Sequence, residues 1–183
     1  MAHLLAKWVY FKLWKWKITG AFPSDIPKYI IIAAPHTSWW DLIMGFTVRA
    51  ITGIKAGYIG KDSLFKPPFG WFFRWTGGQP VDRSKSNNMV EAMVQLFQSR
   101  EELIIALAPE GTRKKVSQLR TGFYYIALGA KVPLVLAKLD FEHKEVGVSE
   151  PFYPTGNKEE DFEHILKFFR GVEGYRKGQG IYF

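Results

Sequence analysis

The chain has 183 residues, 47% of them hydrophobic and 23% charged. This suits one folded domain with a sizeable core and excludes a disordered chain. It has no cysteine, which excludes a disulfide framework, a cysteine-ligated metal and a catalytic thiol. The net charge of +8 and the seven Trp favour an anionic surface that also receives aromatic rings, as a membrane interface does. Nucleic acid is not the expected partner: there is no helix-turn-helix or RNP-like segment, and the longest basic run is Arg113-Lys114-Lys115.

In chain order, residues 2 to 14 read as a helix rich in Leu, Trp and Phe. No run reaches the roughly 18 apolar residues of a membrane-spanning helix. Four lysines and the lack of a small-residue cleavage site argue against a signal peptide. The expected location is therefore the cytoplasmic face of the membrane, peripheral or monotopic, with residues 1–20 as the contacting segment. Lys15 to Ile18 alternates with period two, as a short strand does. Tyr29 to Ala34 is a continuous apolar run, the pattern of a strand buried on both faces, and a helix follows over about 39–51. Strands are predicted at 58–60 and 79–81, around an aromatic stretch broken by Pro67-Pro68 and Gly70. A helix over 88–100 has Asn88 and Glu91 at capping-box spacing. Then come a strand at 103–108, a helix at 121–130, strands at 132–139 and 144–148, and a helix at 161–170. The Gly-rich tail, residues 171–183, reads as loosely held. Strands alternating with helices predict a single α/β domain over residues 1–183, with a largely parallel central sheet flanked by helices.

Three polar clusters follow predicted strands: His36 to Asp41, Asp82-Arg83-Ser84, and Glu110-Gly111-Thr112-Arg113. Ligands bind beyond the carboxyl ends of strands in open α/β sheets, so parallel neighbours would bring all three to one crevice. On a single helix His36 and Asp41 would lie about 140° apart. They can touch only if His36 precedes the helix and Asp41 sits in its first turn. A carboxylate on one imidazole nitrogen leaves the other free to take a proton from a substrate hydroxyl. A second reading fits equally: Ser38 and Asp41 have capping-box spacing. Ser38 has no Gly-x-Ser-x-Gly elbow around it. Arg83 and Arg113 together would make a fork-like phosphate site, although a lone Arg or a Pro-Glu-Gly turn is ordinary surface. No Walker sequence is present.

With these segments in view, the sequence resembles the glycerolipid acyltransferases, typified by bacterial 1-acyl-glycerol-3-phosphate acyltransferases. His36-Thr37-Ser38-Trp39-Trp40-Asp41 is similar to the family's His-x4-Asp block. Gly78 to Ser84 resembles its second block, Pro109 to Arg113 its third, and Val132-Pro133-Leu134-Val135 its fourth. Phe65-Lys66-Pro67-Pro68-Phe69-Gly70-Trp71 is like the stretch that leads to the second block. Four blocks in order over residues 29 to 139 carry the resemblance. Ala108 stands where the family often has Phe.

The resemblance implies transfer of a fatty acyl group from acyl carrier protein or coenzyme A to the free hydroxyl of a lysolipid, with 1-acyl-glycerol-3-phosphate as the first choice of acceptor. His36 would be the base and Asp41 its orienting partner. Arg83 and Arg113 would bind the acceptor's phosphate, and Glu110, Gly111 and Thr112 match the acceptor-binding block. Lys61 and Arg74 are further candidates for anionic headgroup contacts. No bound cofactor and no metal are implied. The aromatic stretch Phe69 to Trp75 would line an acyl groove, dip into the membrane or form ordinary core. Alternatives are another lysophospholipid or amino-acid lysolipid as acceptor, and a non-catalytic membrane-surface binding domain. Lipid A acyltransferases share a His-x4-acid pair but fit the third block and the short length poorly.

Overall fold

The structure, a computed structural model, describes residues 2–81 and 86–180. A seven-stranded sheet runs through it in the order β1-β7-β6-β2-β5-β3-β4. The strands are β1 Lys17–Thr19, β2 Lys28–Ala34, β3 Ala56–Lys61, β4 Gly78–Val81, β5 Leu103–Leu107, β6 Leu134–Asp140 and β7 Glu145–Val148. Every pairing is parallel except β6 with β7, so the expected largely parallel sheet is present. Pro80, which cannot donate to a ladder, sits in an edge strand.

The apolar run of β2 owes its continuity to burial on both sides. Ile30 and Ile32 face a core built with β5, β6 and three helices: α4 Ser86–Ser99, α5 Gly122–Ala130 and α6 Lys158–Phe169. Tyr29 and Ile31 face the other core, under α2 Trp40–Thr52, with Tyr10 and Trp16 of the N-terminal segment. That segment opens as α1 Ala2–Lys7 and continues as a π-helical turn, Trp8–Leu13. The His3 ring meets the Ile51 carbonyl of α2 at 2.9 Å. Among the described residues no helix is long and apolar enough to cross a membrane.

Three expectations change in detail. The helix predicted to be capped at Asn88 begins at Ser86, so Asn88 falls inside its first turn. The aromatic stretch includes α3, Gly70–Trp75, but most of its rings are outside: Phe69, Trp71, Phe72 and Trp75 are exposed. Six residues after a Pro-Pro step turn only one side inward, and there the Phe73 ring packs edge-on against the buried Phe65. The tail over 171–180 is packed rather than loose. Phe141 N–H donates to the Glu173 carbonyl at 2.9 Å and Val116 N–H to the Gly180 carbonyl at 2.9 Å. Its glycines, read from composition as slack, include Gly174 and Gly180, which are buried against the rest of the fold.

Candidate active site

β2, β5, β3 and β4 run the same way and end within two residues of one level. Ile32 pairs with Leu107, Tyr58 with Ala106, and Lys61 with Val81. The loops after β2 and β5 therefore meet, as the crevice argument requires. The chain leaves β2 at Ala34 and enters α2 at Trp40, which places His36 in the loop and Asp41 in the first helical turn. His36 Nδ1 lies 3.1 Å from Asp41 Oδ2. The same oxygen accepts the backbone N–H of Thr37 at 2.7 Å and of Ser38 at 2.8 Å. Asp41 thus holds the loop and the imidazole together, so the carboxylate-to-Ser38 N–H contact of a capping box and the contact to His36 coexist. Ser38 Oγ accepts Trp40 N–H at 3.2 Å, completing a turn at the helix start.

With a carboxylate on Nδ1, the imidazole proton sits on that nitrogen and Nε2 presents its lone pair. The His36 side chain is 27% exposed and that of Asp41 2%, so the pair is open only on the histidine side. Arg113 approaches there, its Nε–H donating to Nε2 at 3.4 Å, while its guanidinium carbon lies 4.0 Å from the centroid of the Trp39 ring. A cation stacked on an aromatic face beside a basic nitrogen is placed to receive an anion next to a hydroxyl.

Glu110 is not on the surface. It is 1% exposed, and its Oε1 accepts the backbone N–H of His36 at 2.9 Å. Burial pushes its carboxyl above the ordinary range, against the lowering effect of that hydrogen bond. Oε2 of Glu110 and Oδ1 of Asp41 are buried without a hydrogen-bond partner among the described residues. Gly111 follows with φ +65°, and a side chain there would run into Arg120, so the turn that sends Arg113 back to His36 requires glycine. Thr112 Oγ1 accepts Lys114 N–H at 3.3 Å within the same turn.

The structure therefore joins His36, Asp41, Glu110 and Arg113, with Gly111 and Thr112 shaping the turn between them. Lys61 closes β3 at the same level of the sheet. Arg74 is not part of this network: it is exposed on α3, 5.7 Å from the Phe65 ring. Arg83 lies outside the described residues, two positions beyond the end of β4. Two contributors escaped the sequence reading. Trp39 stacks on Arg113, and nothing in its position marks it except adjacency to the pair. Thr37 is fully buried, and its only sequence signal is its place beside His36. An aromatic cavity of about 380 Å³ adjoins α2, lined by Trp14, Trp16, Trp40, Met44, Phe141 and Tyr175 among others.

A family description, Acyltransferase, matches residues 17–136. The chain belongs to the acyltransferase family. It is 29% identical over 120 residues to the 1-acyl-sn-glycerol-3-phosphate acyltransferase of Streptococcus pneumoniae, covering 64% of this chain and 43% of that one. It is 29% identical over 134 residues to the enzyme of the same name from Saccharomyces cerevisiae, covering 65% of this chain and 41% of that one. The chain thus spans less than half the length of these curated relatives. The crystal structure of the 1-acyl-sn-glycerophosphate (LPA) acyltransferase PlsC from Thermotoga maritima has the same fold. Its TM-score is 0.61 at 19% identity, over 91% of this chain and 74% of that one. The acyltransferase match takes in β1 through the middle of β6 and so includes His36, Asp41, Glu110 and Arg113; α6 and the tail lie beyond it.

Proposed function

We propose that the protein transfers a fatty acyl group from a thioester to the free hydroxyl of a lysolipid, with 1-acyl-glycerol-3-phosphate as acceptor. The observation that carries this reading is the His36–Asp41 contact, with Nε2 of the partly exposed His36 turned to Arg113, whose Nε–H at 3.4 Å the acceptor hydroxyl displaces as its phosphate engages the guanidinium. The acceptor hydroxyl gives its proton to Nε2 while its oxygen attacks the thioester carbonyl carbon. The tetrahedral intermediate collapses with cleavage of the C–S bond, and the thiolate recovers the proton from Nε2. Asp41 fixes the tautomer and stabilises the imidazolium. No acyl-enzyme is needed: the chain has no cysteine, and the buried Ser38 hydroxyl is occupied with Trp40 N–H.

Arg113, and Arg83 following β4, are the proposed phosphate ligands, with Lys61 and Arg74 as weaker headgroup contacts. Glu110 serves the acceptor site by holding the His36 backbone, Gly111 and Thr112 by shaping the turn. Both curated relatives are named for the same acceptor, which supports this choice over other lysolipids. The donor is acyl carrier protein or coenzyme A carrying the acyl chain, and no other cofactor enters the step. The basic charge and exposed aromatics support action at the cytoplasmic face of a membrane.

The test is an acyl-transfer assay of the purified protein against a panel of lysolipids with both thioester donors. His36→Ala should lower kcat by about 10²–10⁴-fold while vesicle binding is retained. Full activity in that variant would refute the assignment, and a variant without effect on a wild type lacking all transfer would favour the binding-domain alternative. Burst or ping-pong kinetics would overturn the direct-transfer step.

A further inference from the structure

We propose that Thr37 is a positioning residue for the reaction, held from behind by the C-terminal segment 173–180, which acts as a strap across the His36 loop. The inference rests on the acyl-transfer reading above. It joins Thr37, inside the span matched by the acyltransferase family, to a segment that lies beyond that span.

The strap is tied at both ends. At one end Phe141 N–H donates to the Glu173 carbonyl at 2.9 Å, Lys177 reaches Glu142 at 3.6 Å, and the Tyr175 ring packs on Phe141 and Trp40. At the other, Val116 N–H, from the loop after β5, donates to the Gly180 carbonyl at 2.9 Å. Between these ties it crosses the loop that carries His36. Arg176 N–H donates to Thr37 Oγ1 at 3.2 Å. A Cβ on Gly174 would stand 2.6 Å from Thr37 Cγ2, and one on Gly180 would stand 2.8 Å from Pro35 Cβ. The backbone therefore lies directly against residues 35 and 37, closer than any side chain would allow.

His36 is thus bracketed. Its own N–H is taken by Glu110 and the next N–H by Asp41. The next side chain, Thr37, is fully buried and is the only described acceptor for the strap's Arg176 N–H. Without the Thr37 hydroxyl that donor is left unmatched at the back of the loop, and the loop loses the contact that opposes its movement toward solvent. Base catalysis tolerates little displacement: about 1 Å of misplacement can cost about 10²-fold in rate. Acceptor binding, in the reading above, uses Arg113, which meets the His36 ring at Nε2 rather than Thr37.

The test compares Thr37→Val, which keeps the shape and loses the acceptor, with Thr37→Ser, which keeps the acceptor. Thr37→Val should lower kcat about tenfold with KM for both substrates within about twofold, and Thr37→Ser should hold kcat within about twofold of wild type. As a second route, Gly174→Ala should lower kcat, and adding Thr37→Ser, which removes the Cγ2 that a Gly174 Cβ would meet at 2.6 Å and keeps the acceptor, should recover part of that loss. A Thr37→Val enzyme with wild-type kcat, or a Thr37→Ser enzyme as slow as Thr37→Val, would overturn the proposal. If the wild type transfers acyl groups to no acceptor, the reaction assignment has failed and hydrogen exchange decides the positioning claim by itself. Thr37→Val must then speed exchange at amides 36–41 and 173–180 together and leave the β2–β5 ladder protected. Unchanged exchange at 36–41 would refute it.

Discussion

One carboxylate oxygen, Asp41 Oδ2, is shared by two backbone N–H groups and one imidazole, while Glu110 anchors the same loop through the His36 N–H. The two acids differ in kind. Both are buried, but Asp41 meets the His36 imidazole, whereas Glu110 accepts the His36 backbone N–H. Because burial raises the Glu110 carboxyl above its ordinary value of 4.5, folding favours its protonated form. Its contribution to stability is complete below that ordinary value and is lost as pH rises through the raised one. Glu110→Gln retains an oxygen for the His36 N–H and removes the ionisation. The melting temperature of Glu110→Gln should therefore gain on wild type as pH is raised from about 4 to 8. Glu110→Ala, which leaves the His36 N–H unpaired, should lose about 1–3 kcal/mol throughout. A gap between Gln and wild type that does not change with pH would contradict this account. Sequence alone could assign Glu110 to an acceptor-binding turn, because a Pro-Glu-Gly-Thr-Arg segment does not say whether its carboxylate points outward or back into the fold.

At the scale of elements, the short strand β1 is fastened through Glu145 of β7. Thr19 Oγ1 donates to Glu145 at 2.8 Å, and Lys17 and Lys138 reach it at 2.8 and 3.0 Å. These partners, Lys17 first, pull its carboxyl down to about 2. A depressed carboxylate stabilises the fold above its ordinary pKa, and the contribution fades as pH falls toward 2. Glu145→Gln should cost about 1–2 kcal/mol at pH 7 by urea unfolding, discounted for the exposed Lys17. The difference from wild type should shrink as pH is lowered from 4.5; a difference that persists undiminished would remove Glu145 as the cause. Elements such as β2 were legible beforehand because burial on two faces writes a continuous apolar run, and the His36–Asp41 geometry followed from the strand end and the helix period. α3 was less legible: Gly-Trp-Phe-Phe-Arg-Trp has aromatics on several sides and is too short to carry a periodic mark of its inner face. The tail was misjudged because glycine signals both slack chain and close approach. Partners such as Phe141, Val116, Thr37 and Pro35 distinguish the two, and they lie from 32 (Phe141 to Glu173) to 145 (Pro35 to Gly180) residues away in the sequence.

For the whole molecule, the exposed aromatics and the positive charge pose one question. Trp8 of the N-terminal segment, Trp39 beside His36, and Trp71 and Trp75 of α3 are all more than half exposed, from 57% to 76%. The elements that carry them are tied together: the N-terminal segment meets α2 through His3 and Ile51, and α2 meets the end of α3 where Arg49 donates to the Thr76 carbonyl at 2.5 Å. On the function proposed above, exposed Trp on linked elements of a chain of net charge +8 would meet an anionic membrane surface, where indole rings settle at headgroup depth and basic residues gain about 1 kcal/mol each. Trp71→Ala combined with Trp75→Ala should weaken partitioning onto vesicles containing anionic phospholipid by about tenfold or more, since burying one large ring is worth about 1.5–3 kcal/mol. The wild type should detach as salt is raised from low ionic strength, because surface attraction is screened within about 10 Å at 0.1 M. Transfer to a water-soluble, short-chain acceptor should be unchanged in the double variant, since both rings are largely exposed and pack on Phe72 of α3 itself. Equal partitioning of variant and wild type would exclude α3 as a membrane contact.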